Sequence, residues 1–146
     1  MAVKGITKTA LKADGTLVGL VYDAAHILDS EDVSAEGLQI KDLKNGSSPL
    51  FVPTLYLNWT TDSPTGLRVI DGHMAFVNVL AYDYKGYANT RAILKRVKAL
   101  LDQQMLSDGD GYYWFSWAGD LLEQKDEGLG NAAVERSRYQ VIWRDG

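Results

Sequence analysis

The sequence contains no cysteine and only two histidines, His26 and His73. The first absence excludes disulfides and thiolate chemistry and leaves a reducing cytoplasm as the default compartment. The second leaves few donors for a metal centre. No cysteine or acid stands at ligand spacing around either histidine, so both read as structural, and neither a metal nor a cofactor is expected. A surplus of positive charge is also missing. Lysine and arginine total 15 against 19 acids, a net charge of −4, which argues against an electrostatic grip on nucleic acid. No window reaches the roughly 18 uninterrupted apolar residues of a membrane span, so no membrane partner is expected. The opening Met1-Ala2-Val3-Lys4-Gly5 lacks the charged-then-apolar pattern of a signal peptide. Without a secretory route, the Asn-x-Ser/Thr triplets at Asn45 and Asn58 carry little meaning.

Catalytic signatures are lacking as well. There is no Gly-x-Ser-x-Gly and no Walker loop. Gly128-Leu129-Gly130 has no third glycine. Asp108-Gly109-Asp110-Gly111 opens like a calcium loop, but Tyr112 stands where an oxygen ligand belongs and no glutamate closes the loop at its twelfth position. The neighbouring carboxylates Asp126 and Glu127 lie in a polar stretch with nothing to raise a pKa. No catalytic residue is assigned, and the chain is not expected to be an enzyme.

What is present is a chain of 146 residues, 46 % hydrophobic and 23 % charged. That is enough for one domain with a substantial core, and residues 1–146 read as a single unit. Its organising stretch runs from Met74 to Met105. Met74 to Tyr82 is short, aromatic and β-branched, as a strand is. Asp83 to Gly86 turns the chain. Tyr87 to Asp102 has Ile93, Val97, Leu100 and Leu101 at helical spacing, with Arg91, Lys95, Arg96 and Lys98 largely on the other face. The expected packing lays that stripe on Phe76, Val79 and Leu80.

Around this unit, Ile6 to Tyr22 reads as a helix broken near Asp14-Gly15, with Asp14 as a cap and with Ile6, Ala10 and Leu11, then Leu17, Leu20 and Val21, as its apolar stripes. Ala25 to Leu28 suits a short edge strand. Asp29 to Pro49 is polar, with Leu38, Ile40 and Leu43 as its only anchors. Leu50 to Trp59 is a strand candidate in which Leu55, Leu57 and Trp59 alternate with Tyr56 and Asn58. Pro53 belongs at its start or on an edge. A turn at Asp62 to Gly66 leads to a strand beginning near Leu67, kinked at Asp71-Gly72 and ending at Tyr82. Ser107 to Gly111 is a turn, and Tyr112 to Trp117 a strand. Asp120 to Asn131 reads as an acidic connection. Ala133 to Trp143 is the last strand, with Tyr139, Val141 and Trp143 on one face and Arg136, Arg138 and Gln140 on the other. The fold class is α+β: an antiparallel-rich sheet carrying a broken N-terminal helix and one long amphipathic helix.

This order of pieces, from the broken helix through the proline-bearing strand Leu50 to Leu57, the long strand to Tyr82, the helix after Gly86 and the closing Tyr139-Gln140-Val141-Ile142-Trp143-Arg144, resembles the tail terminator, or tail-completion, proteins of long-tailed bacteriophages. The similarity spans nearly the whole chain and lies in residue types rather than signature residues. It implies a structural virion protein whose subunits form a hexameric ring. Such a ring caps the tail tube protein and joins the tail to the head-completion (stopper) protein, and DNA passes through it without being read. The location implied is the tail or neck of the virion, after assembly in the host cytoplasm. Another neck or minor tail ring protein is the alternative, with a small-molecule-binding domain or an enzyme a more distant one. On this reading the two polar stretches are expected to be ordered by neighbours. Candidate contact residues are Leu38 and Ile40 in the first and Asp120, Glu123, Asp126 and Glu127 in the second. The acids would meet a basic partner or face the DNA channel as a repelling wall.

Overall fold

The computed structural model describes residues 2–46, 50–60, 72–109 and 111–144, with the backbone alone at 63–64. Most of the expected turn at Asp62 to Gly66, the strand start near Leu67 and the Asp71 half of the kink lie outside the described residues.

Helix α1 (Ala2–Lys12) buries Val3, Thr7 and Leu11. The spacing i, i+4, i+8 makes one stripe, with Ile6 only partly buried beside it. The buried stripe is thus rotated from the expected Ile6/Ala10/Leu11 set. The break comes at Asp14, whose carboxylate accepts the Leu17 amide at 2.8 Å and caps α2 (Gly15–Leu20). The same carboxylate meets the Arg96 guanidinium through two bonds of 2.8 and 2.7 Å. Those bonds, with the Leu17 amide, hold the Asp14 pKa down at about 2.

The strands are β1 (Ile27–Asp29), β2 (Thr54–Trp59), β3 (Ser63–Pro64), β4 (Gly72–Asp83), β5 (Gln104–Ser107), β6 (Tyr112–Asp126) and β7 (Ala132–Arg144). They form one sheet in the order β1-β2-β4-β7-β6-β5, with β3 pairing β4. Among the described strand pairs, β1 and β2 run parallel and the others antiparallel. Helix α3 (Tyr87–Leu101) follows β4 through Gly86, whose φ of +123° suits glycine and reverses the chain. The Asp83 carboxylate accepts the Lys85 amide at 2.9 Å and the Asn89 side chain at 3.2 Å, and so fixes the turn.

The helices cover one face of the sheet. There α3 buries Thr90, Ile93, Leu94, Val97 and Leu101 against Val77, Val79 and Ala81 of β4 and Tyr139 and Val141 of β7. Two expected contacts need correction. Leu94 replaces Leu100, which is only partly buried at the edge of that core. Phe76 and Leu80 stand on the opposite face, because side chains alternate along a strand and Val79 has the other parity. That opposite, outer face carries a second cluster of Leu43, Tyr82, Leu129, Ala132 and Val134, with Leu38, Tyr56, Leu80 and Tyr84 packed on it. Strand β5 was not expected from the sequence. It pairs Met105 with Trp114 at the sheet edge.

Candidate assembly surface

The stretch expected to be an acidic connection is mostly strand. β6 continues through Asp126, and only Glu127 to Asn131 turns the chain, starting with a 3-10 turn at Glu127–Leu129. Two register shifts interrupt β6, between Trp117 and Gly119 and between Leu121 and Gln124. Glu135 explains the second. Its carboxylate is 0 % exposed and accepts the Thr90 hydroxyl at 3.0 Å, the Arg91 guanidinium at 2.7 Å and the backbone N–H of Glu123 at 3.0 Å. Burial pushes this carboxyl up, but the Arg91, Glu123 and Thr90 donors outweigh it, so it ionises below the usual glutamate range. One side chain of β7 thereby joins α3 to the bulge in β6. Tyr87 adds a second brace by donating to the Gln124 carbonyl at 2.8 Å, and Tyr84 donates to the Leu129 carbonyl. The hairpin β6–β7 is therefore a braced arm.

The four candidate acids separate on this arm. Asp120 accepts Trp117 Nε1 at 2.9 Å and the Ser137 hydroxyl at 2.6 Å, so it serves the first bulge. Glu123 has φ of +55° in the second bulge and lies 3.7 Å from Arg91. Asp126 and Glu127 sit at the tip, with no ion pair among the described residues. The structure does not bring all four together as one acidic wall.

The Asp29–Pro49 stretch is also ordered by its own chain over its described part. Leu43 is fully buried, and Leu38 packs on the outer cluster. Gln39 and Asp42 bond reciprocally in a capping box. His26 lies 3.0 Å from the Lys44 carbonyl through Nε2 and 2.7 Å from Asp23 through Nδ1. Phe51 stacks on Tyr84 at 3.8 Å. Ile40 alone of the anchors is 39 % exposed. Between this segment and the hairpin tip lies an open cleft of about 440 Å³, floored by Tyr56, Asn58, Leu80 and Tyr82 and walled by Leu38 and Asp126. His73 stacks on Trp143 with ring centroids 5.4 Å apart. Among the described residues, no three His, Asp or Glu side chains gather in a way that would hold a metal.

Farther along the same outer face runs an open apolar row. The register aligns Met105, Trp114, Ile142 and Met74 across β5, β6, β7 and β4. Met105 is 55 % exposed and Trp114 37 %. Tryptophan and methionine are enriched at the centres of protein interfaces. Sequence reasoning misses this row, because β5 is not recognisable in the sequence. The signal is the alternation of Tyr112, Trp114 and Ser116 against Tyr113 and Phe115.

No protein-family model matches this sequence, and a search of curated proteins finds no relative. Among solved structures, the chain is similar to one in the virion of a native gene transfer agent particle. The two are 12 % identical, with a TM-score of 0.60, over 97 % of this chain and 92 % of that one. At that identity the likeness shows the fold, which the two share almost end to end.

Proposed function

We propose that this chain is a structural virion protein, a tail terminator subunit. In this reading six copies form a ring that caps the tail tube and joins the tail to the head-completion protein. DNA passes through the ring without sequence-specific contact. The observation that carries the proposal is the fold shared over 97 % of the chain with a component of a virion. The residue pattern of the terminator proteins points the same way. An outer face with an exposed apolar row and a braced hairpin arm are what a ring subunit needs: one surface to be covered and one rigid element to reach a neighbour. No catalysis is assigned to the chain.

The test is to incubate the purified chain with tail tubes and to examine tube ends by electron microscopy, with mass from light scattering. Six-subunit rings at one end of each tube are expected. Tube ends that stay bare, with the chain elsewhere in solution, would refute the proposal.

A further inference from the structure

Arg136 and Arg138 lie side by side on the outer face of β7, the strand between β4 and β6. Each is only partly exposed. In both, Nε is shut off from solvent and finds no acceptor. Among the described residues neither forms an ion pair. Their surroundings are apolar. Arg138 lies over the Phe76 ring at 4.2 Å, and Arg136 stands opposite exposed Leu121 on β6 and Leu80 on β4. Opposite Arg138 on β6 is Gly119, at the bulge with φ of +126°, which presents no side chain. The chain therefore holds two cationic forks on a half-dried sheet face without an anion, with the Trp114–Ile142 pair roughly 13 Å farther along β7 from Arg138. A guanidinium in such a setting recognises a carboxylate by paired bonds, and its apolar flanks strengthen the attraction.

The chain also holds the matching anion where it cannot use it. Asp126 and Glu127 form the hairpin tip, and Asp126 pairs in register with Ala132. At about 3.3 Å per strand residue, Ala132 is roughly 13 Å from Arg136 and 20 Å from Arg138. The braces to Glu135, Tyr87 and Tyr84 hold the arm, so the tip is not free to fold back onto these arginines. Another copy is under no such constraint.

We propose that the outer face of one copy, centred on Arg136 and Arg138 with Leu121 and Trp114 at its rim, receives the Asp126–Glu127 hairpin tip of a second copy of this chain. From the ring reading this takes only the premise that copies associate. A carboxylate-bearing loop on a face with tryptophan and leucine is a protein contact. A duplex would instead need basic residues spread along its phosphates, on a chain whose net charge is −4.

Charge reversal tests the contact. Sedimentation velocity would compare the native chain, Arg136→Glu/Arg138→Glu, Asp126→Lys/Glu127→Lys and an equimolar mixture of the two variants, each first confirmed as folded by circular dichroism. The native chain is expected to self-associate. Each variant alone should associate at least roughly tenfold more weakly, since like charges then face each other across the contact. The mixture should regain heterotypic pairs, because each reversed surface meets its new complement. Self-association unchanged by both reversals overturns the proposal, and so does a native chain that stays monomeric to millimolar concentration. Fluorescence anisotropy with a short DNA duplex supplies a further arm. Duplex binding abolished by the arginine reversal, with self-association intact, also overturns it. Rings indifferent to the reversals would sink this contact and leave the ring reading standing. Closed two-fold dimers broken by both reversals would sustain the contact and sink the ring.

Discussion

Leu101→Ala is expected to lower the free energy of unfolding by about 2–5 kcal/mol, and Leu100→Ala by less than half as much. The two residues are neighbours of the same type, so the contrast isolates position. Leu101 is 0 % exposed, on the face of α3 that meets the sheet, whereas Leu100 is only partly buried at the core's rim. Truncating Leu101 removes apolar contact and leaves a cavity between α3 and the sheet that a close-packed interior does not readily refill. Truncating Leu100 opens a site that water can reach. Urea melts with an unchanged slope would measure both. Equal losses would mean that the helix is rotated from the arrangement described.

Glu135→Ala is expected to cost roughly 2 kcal/mol at neutral pH, because it removes the acceptor of the Glu123 amide, leaves Arg91 unpaired and leaves the Thr90 hydroxyl only the Tyr87 carbonyl at 2.9 Å. Arg91 is half exposed and recovers part of its hydration, so the loss stays at the lower end for a broken ion pair. The carboxyl ionises lower in the folded chain than in the unfolded one. Its charge-dependent stabilisation is therefore complete above the unfolded glutamate range and disappears as pH falls through the folded value. Glu135→Gln, which keeps the shape and removes the charge, should lie below the native chain at pH 7 and converge with it in acid. A gap that stays constant into acid would show that the Arg91–Glu135 charge pair contributes no stability.

The loss at Glu135 bears on the arm as well as the core. Without its carboxylate the bulge at Glu123 loses its fixed acceptor, and the tip beyond it keeps only the Tyr87 and Tyr84 braces. The Asp126–Glu127 tip would then be held less rigidly for any neighbour.

The sheet, the two-part first helix and the long helix were legible because each carries a strong local signal. Asp14 before Gly15 marks a cap. Ile93, Val97 and Leu101 mark a helix face. Tyr139, Val141 and Trp143 mark a strand. Errors arose where the local signal is ambiguous. Leu94, Leu100 and Leu101 all lie near one stripe, and only the sheet decides which two of them it covers. Phe76 and Leu80 are as apolar as Val79, but strand parity places them on the opposite face, Leu80 against the second cluster and Phe76 under Arg138. Most of the acidic residues of β6 looked like a loop because two bulges, one held by the Asp120 carboxylate and one by the Glu123 amide, destroy the alternation. The segment after Asp29 looked unanchored because its anchors lie elsewhere in the chain: Leu43 and Leu38 pack with Tyr82, Tyr84 and Leu129, and His26 meets the Lys44 carbonyl. Arg136 and Arg138 were placed on the correct face. Their partial burial depends on Phe76 and Leu121, which no local window contains.

Tail length is the most direct measure of the proposal that this chain ends the tail tube. In electron micrographs of particles produced without this chain, tails should be overlong and variable in length, and they should lack heads. Supplying the chain in trans should restore one uniform length and head-joined tails. Particles that lack the chain yet carry head-joined tails of normal, uniform length would contradict the account.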